Sequence, residues 1–223
     1  MEMTSGYISD RTAMNSYSKG WELFTSNVGL FLGVVVVQIL ISLPAQLGNA
    51  NAENPNFGLI AFANAWSFFV VTPIGFSTAW VFLRAARGDS PAFTDMFAVF
   101  QRNYVQTLIA GILMGLIIFA GLLLLIIPGI YFALRLSFVS YLVIDSQMNA
   151  VEAIKTSWEM TKGHAGTLFF MGFIGFFVIV LGILALGVGV IVSTAVLAST
   201  FAVFYHSVAI VGKQKAKNDD FDF

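Results

Sequence analysis

Long apolar stretches separated by short polar segments occupy most of the chain. About 20 apolar helical residues cross a hydrocarbon core of roughly 30 Å, and six stretches approach or exceed that length. They predict membrane-spanning helices at about residues 28–47, 57–83, 104–127, 130–145, 165–186 and 190–211. We therefore expect an all-α polytopic membrane helix bundle, with one transmembrane domain over residues 1–212 and a mobile cytoplasmic tail over residues 213–223.

Three of the polar segments are predicted to form amphipathic helices at the cytoplasmic membrane surface, because their apolar residues recur on one helix face. Ser90-Pro91 predicts the start of the second helix, while Asn149 and Gly163 predict the N-cap and C-cap of the third. The three apolar faces are Met14, Tyr17, Trp21 and Phe24; Phe93, Met96, Phe97 and Phe100; and Val151, Ile154 and Trp158.

The basic residues predict which side of the membrane each loop occupies. Of the eleven Lys and Arg residues, all except Arg135 lie in the N-terminal segment, residues 84–103, residues 145–164 or the tail. The loops on the other side contain none. Because cytoplasmic loops of membrane proteins are enriched in Lys and Arg, we expect both termini to be cytoplasmic.

The order of elements suggests an internal repeat. An amphipathic helix, a polar junction at Asn27, Asn103 or His164, and two spans joined by a turn without basic residues occur three times. One interpretation is a threefold helix-hairpin repeat. The other is the ordinary alternation of loops and spans in any polytopic protein, and the sequence leaves both open.

Composition narrows the functional classes. Charged residues make up 10% and apolar residues 58% of the chain, whereas a soluble domain has about 25% and 45–50%. A net charge of −1 makes nucleic acid an unexpected partner, and the lack of cysteine excludes thiolate chemistry. We expect no cofactor, and as partners membrane lipids together with other membrane proteins or a second copy of the chain.

Arg135 is the one basic residue predicted to lie within a span. It follows a turn predicted at Pro128-Gly129, where proline disfavours helix before it and glycine permits positive φ. A charge at the helix centre costs roughly 2.5–3.5 kcal/mol on insertion scales. One hypothesis is a pocket in which Arg135 holds an anionic headgroup or solute; the alternative is that it extends to the interface or caps carbonyl groups of a neighbouring span.

Other candidate residues have structural interpretations. The spacing of Gly111 and Gly115 permits close approach of another helix. Ser157 and Trp158 are predicted to pack against the membrane or the bundle. We expect His164 and His206 to be structural rather than metal ligands, and no residue set has the pattern of a catalytic site.

The segment from Ile127 to about Phe169 resembles known bacterial families. Pro128, Gly129, Arg135 and the helix residues Ala153, Ser157, Trp158, Thr161, Lys162 and Gly163 match a pattern in six-span integral-membrane families. These are the YciC-like proteins and the membrane domain of glycerophosphoryl diester phosphodiesterase. The resemblance implies a bacterial plasma membrane. The phosphodiesterase relatives join this membrane region to a separate soluble catalytic domain. Because this chain has no room for one, we expect no diesterase activity.

Two functions are consistent with this sequence. The first is a non-enzymatic scaffold or accessory protein that organises lipid, envelope or partner proteins. The second is a small transporter whose site lies in the bundle near Arg135. A transporter should have a mid-membrane cavity lined by Gln38, Asn64 or Thr107, whereas a scaffold should have a dry interior.

Overall fold

Helices are the only regular secondary structure in residues 12–47, 56–185 and 188–219, which are the residues that the computed structural model describes. Six of the helical segments are long and apolar enough to cross a membrane, as the hydrophobic pattern predicts. They are Val28–Gln46, Phe57–Ala86, Tyr104–Leu124, Ile126–Ile144, Ala165–Leu184 and Gly189–Val211. The chain is therefore an all-helical, multi-pass membrane protein by the length and composition of its helices.

The first hairpin contains α2 (Val28–Gln46), α3 (Phe57–Trp66) and α4 (Thr72–Ala86). A π-helical turn at Ser67–Val71 joins α3 to α4. It lies just before Pro73, which has no backbone N–H and whose ring clashes with the carbonyl four residues earlier in a regular α-helix. The departure from regular α-helix that Pro73 requires is therefore the π-helical turn just before it. The predicted polar loop between α2 and α3 lies mostly outside the described residues.

The second hairpin corrects the predicted turn. Helix α5 (Tyr104–Leu124) ends before Leu125, whose backbone is extended at φ −173° and ψ 160°, and α6 (Ile126–Arg135) begins at the next residue. Pro128 and Gly129 lie inside α6, so the prediction of a turn at these two residues is wrong. Proline is tolerated here because the first turn of a helix lacks internal N–H partners.

The fourth span is also broken where the sequence predicted one continuous helix. Helix α6 ends at Arg135, a three-residue turn follows, and α7 (Val139–Ile144) completes the span. The break leaves backbone groups at the end of α6 and the start of α7 without intrahelical partners. These groups are satisfied by a helix from another part of the chain.

The third hairpin consists of α9 (Ala165–Leu184) and α10 (Val188–Asp219). The two helices meet closely beside their turn, since a Cβ added to Gly189 would come within 2.8 Å of the Gly182 Cα. Helix α10 continues beyond the sixth crossing into the predicted tail as far as Asp219. Residues 220–223, like residues 1–11, lie outside the described part of the chain.

The amphipathic segments form α1 (Ala13–Ser26), a 3₁₀ helix (Phe93–Phe100) and α8 (Ala150–Met160). The Asn149 side chain accepts a hydrogen bond from the Glu152 N–H, as predicted for the N-cap of α8. The predicted start at Ser90-Pro91 is wrong by two residues, because Ala92 occupies the N-cap position and the Asp95 carboxylate accepts from its N–H.

Each amphipathic helix packs against the second half of a hairpin. The 3₁₀ helix contacts α4, where the Val99 N–H donates to Ser77 Oγ at 2.8 Å. Helix α8 contacts the break between α6 and α7 through Ser157, and α1 contacts α10 through Gly20 and Thr200. The 3₁₀ helix and α8 each follow, in the chain, the hairpin that they contact. Helix α1 precedes all three hairpins and contacts the last one. The threefold hairpin repeat stays a prediction.

Helices α4, α7 and α10 meet at the centre of the molecule. The Tyr141 and Tyr205 rings stack with centroids 4.6 Å apart, and His206 Nδ1 lies 3.1 Å from the Ala86 carbonyl oxygen. Residues with little or no exposure surround these contacts, among them Phe31, Phe82, Leu83, Phe138 and Phe204. The centre is therefore a well-packed core from which the hairpins extend.

The ends of the hairpins carry large apolar side chains on their surface. Residues 123–127, which surround the turn between α5 and α6, are 69% to 79% exposed. A water-soluble monomer rarely exposes a contiguous apolar surface of this kind. The exposure is explained by contact with lipid.

Candidate functional site at the break in the fourth span

Arg135 lies at the C-terminal end of α6, beside the break. Its side chain is only 4% exposed, so it neither extends to water nor lies in open contact with lipid. A guanidinium in this position is unusual because charged side chains are almost never fully buried without a partner. The residues that surround Arg135 define the site.

Two aromatic rings cover the guanidinium. Its central carbon lies 4.7 Å from the ring centroid of Trp158 on α8 and 5.8 Å from that of Tyr131, one helical turn earlier on α6. The two rings pack edge to face at 6.0 Å. A cation above an aromatic face gains about 2 kcal/mol when both are desolvated. The rings therefore offset part of the cost of burial.

The Nε–H group of the same guanidinium has no hydrogen-bond partner among the described residues. Nε is buried without a hydrogen-bond partner, and none of the ion pairs found in the described residues includes Arg135. A guanidinium carries five N–H donors arranged to bind carboxylate or phosphate. The arrangement therefore has the chemistry of an anion-binding group.

Ser157 joins the two sides of the helix break. Its hydroxyl donates to the Arg135 carbonyl oxygen at 2.8 Å and accepts from the Phe138 N–H at 3.3 Å. A hydroxyl has one donor and two acceptor lone pairs, so it can make both bonds at once. Ser157 is completely buried and supplies partners for backbone groups on both sides of the break.

Thr161 and Gly163 complete this side of α8. The Thr161 hydroxyl donates to the Ser157 carbonyl at 2.7 Å, so its 3.3 Å approach to the Arg135 carbonyl is secondary. Gly163 has φ +83°, a conformation that favours glycine, just after the helix ends. Ser157, Trp158 and Thr161 thus lie around one break and one buried charge, a grouping that the sequence did not reveal.

The remaining predicted residues lie elsewhere. A Cβ on Gly111 would come within 3.1 Å of Thr72 Cγ2, whereas no atom lies within 4 Å of that position at Gly115. The closest approach of α5 and α6 occurs instead at Gly121 and Gly129, because a Cβ on Gly121 would lie 2.9 Å from the Gly129 Cα. Gly129 is thus a close-packing residue, not a turn residue.

The polar residues that would line a transporter cavity are engaged separately. Gln38 accepts a hydrogen bond from Thr78, and Thr107 is completely buried and donates to the Asn103 carbonyl in its own helix. Asn64 is exposed. The three side chains do not converge on one site.

Sequence reasoning missed a charged cluster where α4 and α7 end. Arg87 Nη2 donates to Asp145 Oδ2 at 2.6 Å, and Trp80 Nε1 donates to Asp145 Oδ1 at 3.4 Å. The hydrogen bond to Asp145 raises the pKa of Arg87 above its ordinary value. The only signal was that each residue follows the end of an apolar stretch. We interpret the pair as a clamp between two hairpins.

The two histidines contact other helices of the fold. His164 packs edge to face on Phe204, with ring centroids 5.8 Å apart, and His206 lies at the Ala86 carbonyl. Across residues 12–47, 56–185 and 188–219, no three His, Asp or Glu side chains are grouped so that they could hold a metal ion.

The helices and the site define a multi-pass helical membrane protein with a buried guanidinium that forms no ion pair with the described residues. The chain matches no family model, no curated protein and no solved structure.

Proposed function

We propose that this chain is a non-enzymatic accessory protein that organises membrane lipids, and that it does so by holding an anionic group at Arg135. The observation that carries the proposal is the Arg135 guanidinium, buried beside the Trp158 and Tyr131 rings with its Nε lacking a hydrogen-bond partner. Binding an anion along the N–H edge would supply the missing interactions. We place the protein with the six-span families that it resembles, in a bacterial plasma membrane with both termini cytoplasmic.

The same contacts favour an organising role over the transporter alternative. Alternating access needs a polar site between elements that rearrange. Gln38, Asn64 and Thr107 do not converge, and the central helices meet through stacked rings and the Arg87–Asp145 ion pair. The centre of the bundle is tightly packed, and the Arg135 charge lies to one side of it. This arrangement favours a protein that holds a ligand in place.

Native mass spectrometry of the full chain in mild detergent tests the proposal, with phosphatidylglycerol as the anionic probe and phosphatidylcholine as the zwitterionic one. We expect the wild-type protein to retain phosphatidylglycerol selectively and Arg135→Leu to lose this selectivity. Lys155→Leu is the matched control, because it removes the same charge from an exposed position on α8. Equal retention by all three proteins would contradict the proposal.

Loss of folding would be a separate result. Replacing an unpaired buried charge by an apolar residue is commonly neutral or stabilising, so we expect Arg135→Leu to keep its thermal midpoint. A large fall in that midpoint would mean that Arg135 is needed for the fold, and would also count against the proposal.

A further inference from the structure

An apolar groove begins beside Arg135 and runs along α6. Its volume is about 260 Å³, and it lies between α6 and the first residues of α9. It is lined by Ile127, Ile130, Tyr131, Leu134, Ala165 and Phe169. Leu134, at one end of the groove, adjoins Arg135 in the chain, and Arg135 itself does not line the groove.

Tyr131 belongs to both the groove and the arginine site. Its ring lies 5.8 Å from the Arg135 guanidinium and also lines the groove. From Leu134 to Ile127 the groove follows α6 for about 10 Å, at 1.5 Å of rise per residue. A cationic group and an extended apolar surface thus share one wall. That combination fits an amphiphile with an anionic head and an aliphatic chain.

The position of α8 indicates how such a molecule would lie. Trp158, beside the guanidinium, is on α8, and the face of α8 opposite the buried Ala153 and Ser157 exposes Glu152, Lys155 and Glu159. A helix with one charged, exposed face lies where the membrane meets water. The end of the groove at Arg135 is therefore nearer that surface than the end at the turn at Leu125.

We propose that the ligand of Arg135 is an anionic phospholipid of the leaflet on the α8 side. Its phosphate binds the N–H edge of Arg135, and one acyl chain lies in the groove between α6 and α9. This inference rests on the proposed function, since it specifies the molecule to which the anionic group belongs. It assigns Tyr131 as the residue that contacts both the headgroup region and the chain.

Chain-length dependence separates the lipid from a free anion. The full protein would be titrated with dioleoyl phosphatidylglycerol, with dibutyryl phosphatidylglycerol and with inorganic phosphate, and binding measured by native mass spectrometry. Each buried methylene adds to affinity, so the long-chain lipid should bind at least about tenfold more tightly than the short-chain one. Equal affinity for the two lipids would overturn the assignment of the groove.

Two variants test the groove itself. Ala165→Phe fills it and Phe169→Ala removes one wall; both should weaken long-chain binding and leave short-chain binding unchanged. Ala61→Phe, at an exposed position on α3, is the control for the added aromatic ring. If Ala165→Phe fails to keep the wild-type thermal midpoint, Phe169→Ala alone decides.

The outcomes distinguish the two proposals. If Arg135→Leu abolishes binding of both lipids while the groove variants change neither, the proposed function stands and the groove inference fails. If Arg135→Leu changes neither, the proposed function fails and the inference with it. Weaker long-chain binding in the groove variants, together with loss of all binding in Arg135→Leu, supports both.

Discussion

At the scale of single residues, Ser157 shows how a small polar side chain can hold a broken membrane helix. It provides a donor for the Arg135 carbonyl and an acceptor for the Phe138 N–H. In an apolar environment an unsatisfied backbone group is costly, because no water is available to replace the partner. The break between α6 and α7 therefore depends on a residue about 20 positions further along the chain.

We predict that Ser157→Ala destabilises the protein by about 1–3 kcal/mol, because it leaves the Phe138 N–H without its partner and the Arg135 carbonyl with only the longer Thr161 contact. The measurement is the thermal midpoint of the full chain in detergent. Ser26→Ala is the control, since the Ser26 hydroxyl makes only an exposed bond to Glu22 within its own helix. Equal midpoints for the two variants would show that Ser157 does not support the break.

At the scale of elements, glycines decide where helices touch. A Cβ on Gly20 would come within 2.8 Å of the Thr200 Cα, so α1 and α10 approach backbone to backbone. Tyr17, one turn earlier, donates to the Met171 carbonyl on α9 at 2.6 Å. Helix α1 thus lies along the third hairpin, a closer association with the bundle than a helix lying flat on the membrane surface would have.

We predict that Gly20→Ala loosens α1 from the bundle and destabilises the protein by about 1–3 kcal/mol, the usual cost of overpacking. The reason is that the new methyl group meets backbone atoms of Thr200, which cannot move aside. Limited proteolysis should cut α1 faster, and the thermal midpoint should fall. Gly29→Ala, where a Cβ has no neighbour within 4 Å, should leave both unchanged or improve them.

At the scale of the whole molecule, three hairpins extend from one central core. The core joins α4, α7 and α10, and the Arg87–Asp145 pair connects two of these helices where they leave the apolar region. Helix α1, the 3₁₀ helix and α8 each pack against the second half of one hairpin. The distribution of Lys and Arg then predicts which face of the assembly is cytoplasmic.

The lack of cysteine makes this orientation directly measurable, because any introduced cysteine is unique. We predict that Ser90→Cys and Lys155→Cys react with a membrane-impermeant maleimide only from the cytoplasmic side. Phe57 is 81% exposed in the wild-type protein. The Phe57→Cys variant should react with the maleimide only from the opposite side. Labelling of Ser90→Cys and Phe57→Cys from the same side would contradict the six-span topology.

The sequence by itself determined the class of fold and the number of crossings. Transfer of about 20 apolar residues into hydrocarbon is a local property that adds up along each stretch, so hydropathy alone reveals it. It also singled out Arg135, because one charge in an apolar stretch is conspicuous. The N-cap at Asn149 was predictable because a cap is also a local property, which involves residues only three apart.

Only the tertiary structure decided the turn at Leu125, the break after Arg135 and the surroundings of the guanidinium. The turn depends on the contact of Gly121 with Gly129, and the break on Ser157 from a later helix. Trp158 covers Arg135 only because α8 folds back onto the fourth span. These features arise from contacts between segments far apart in the chain, whose free energy does not depend on any local pattern.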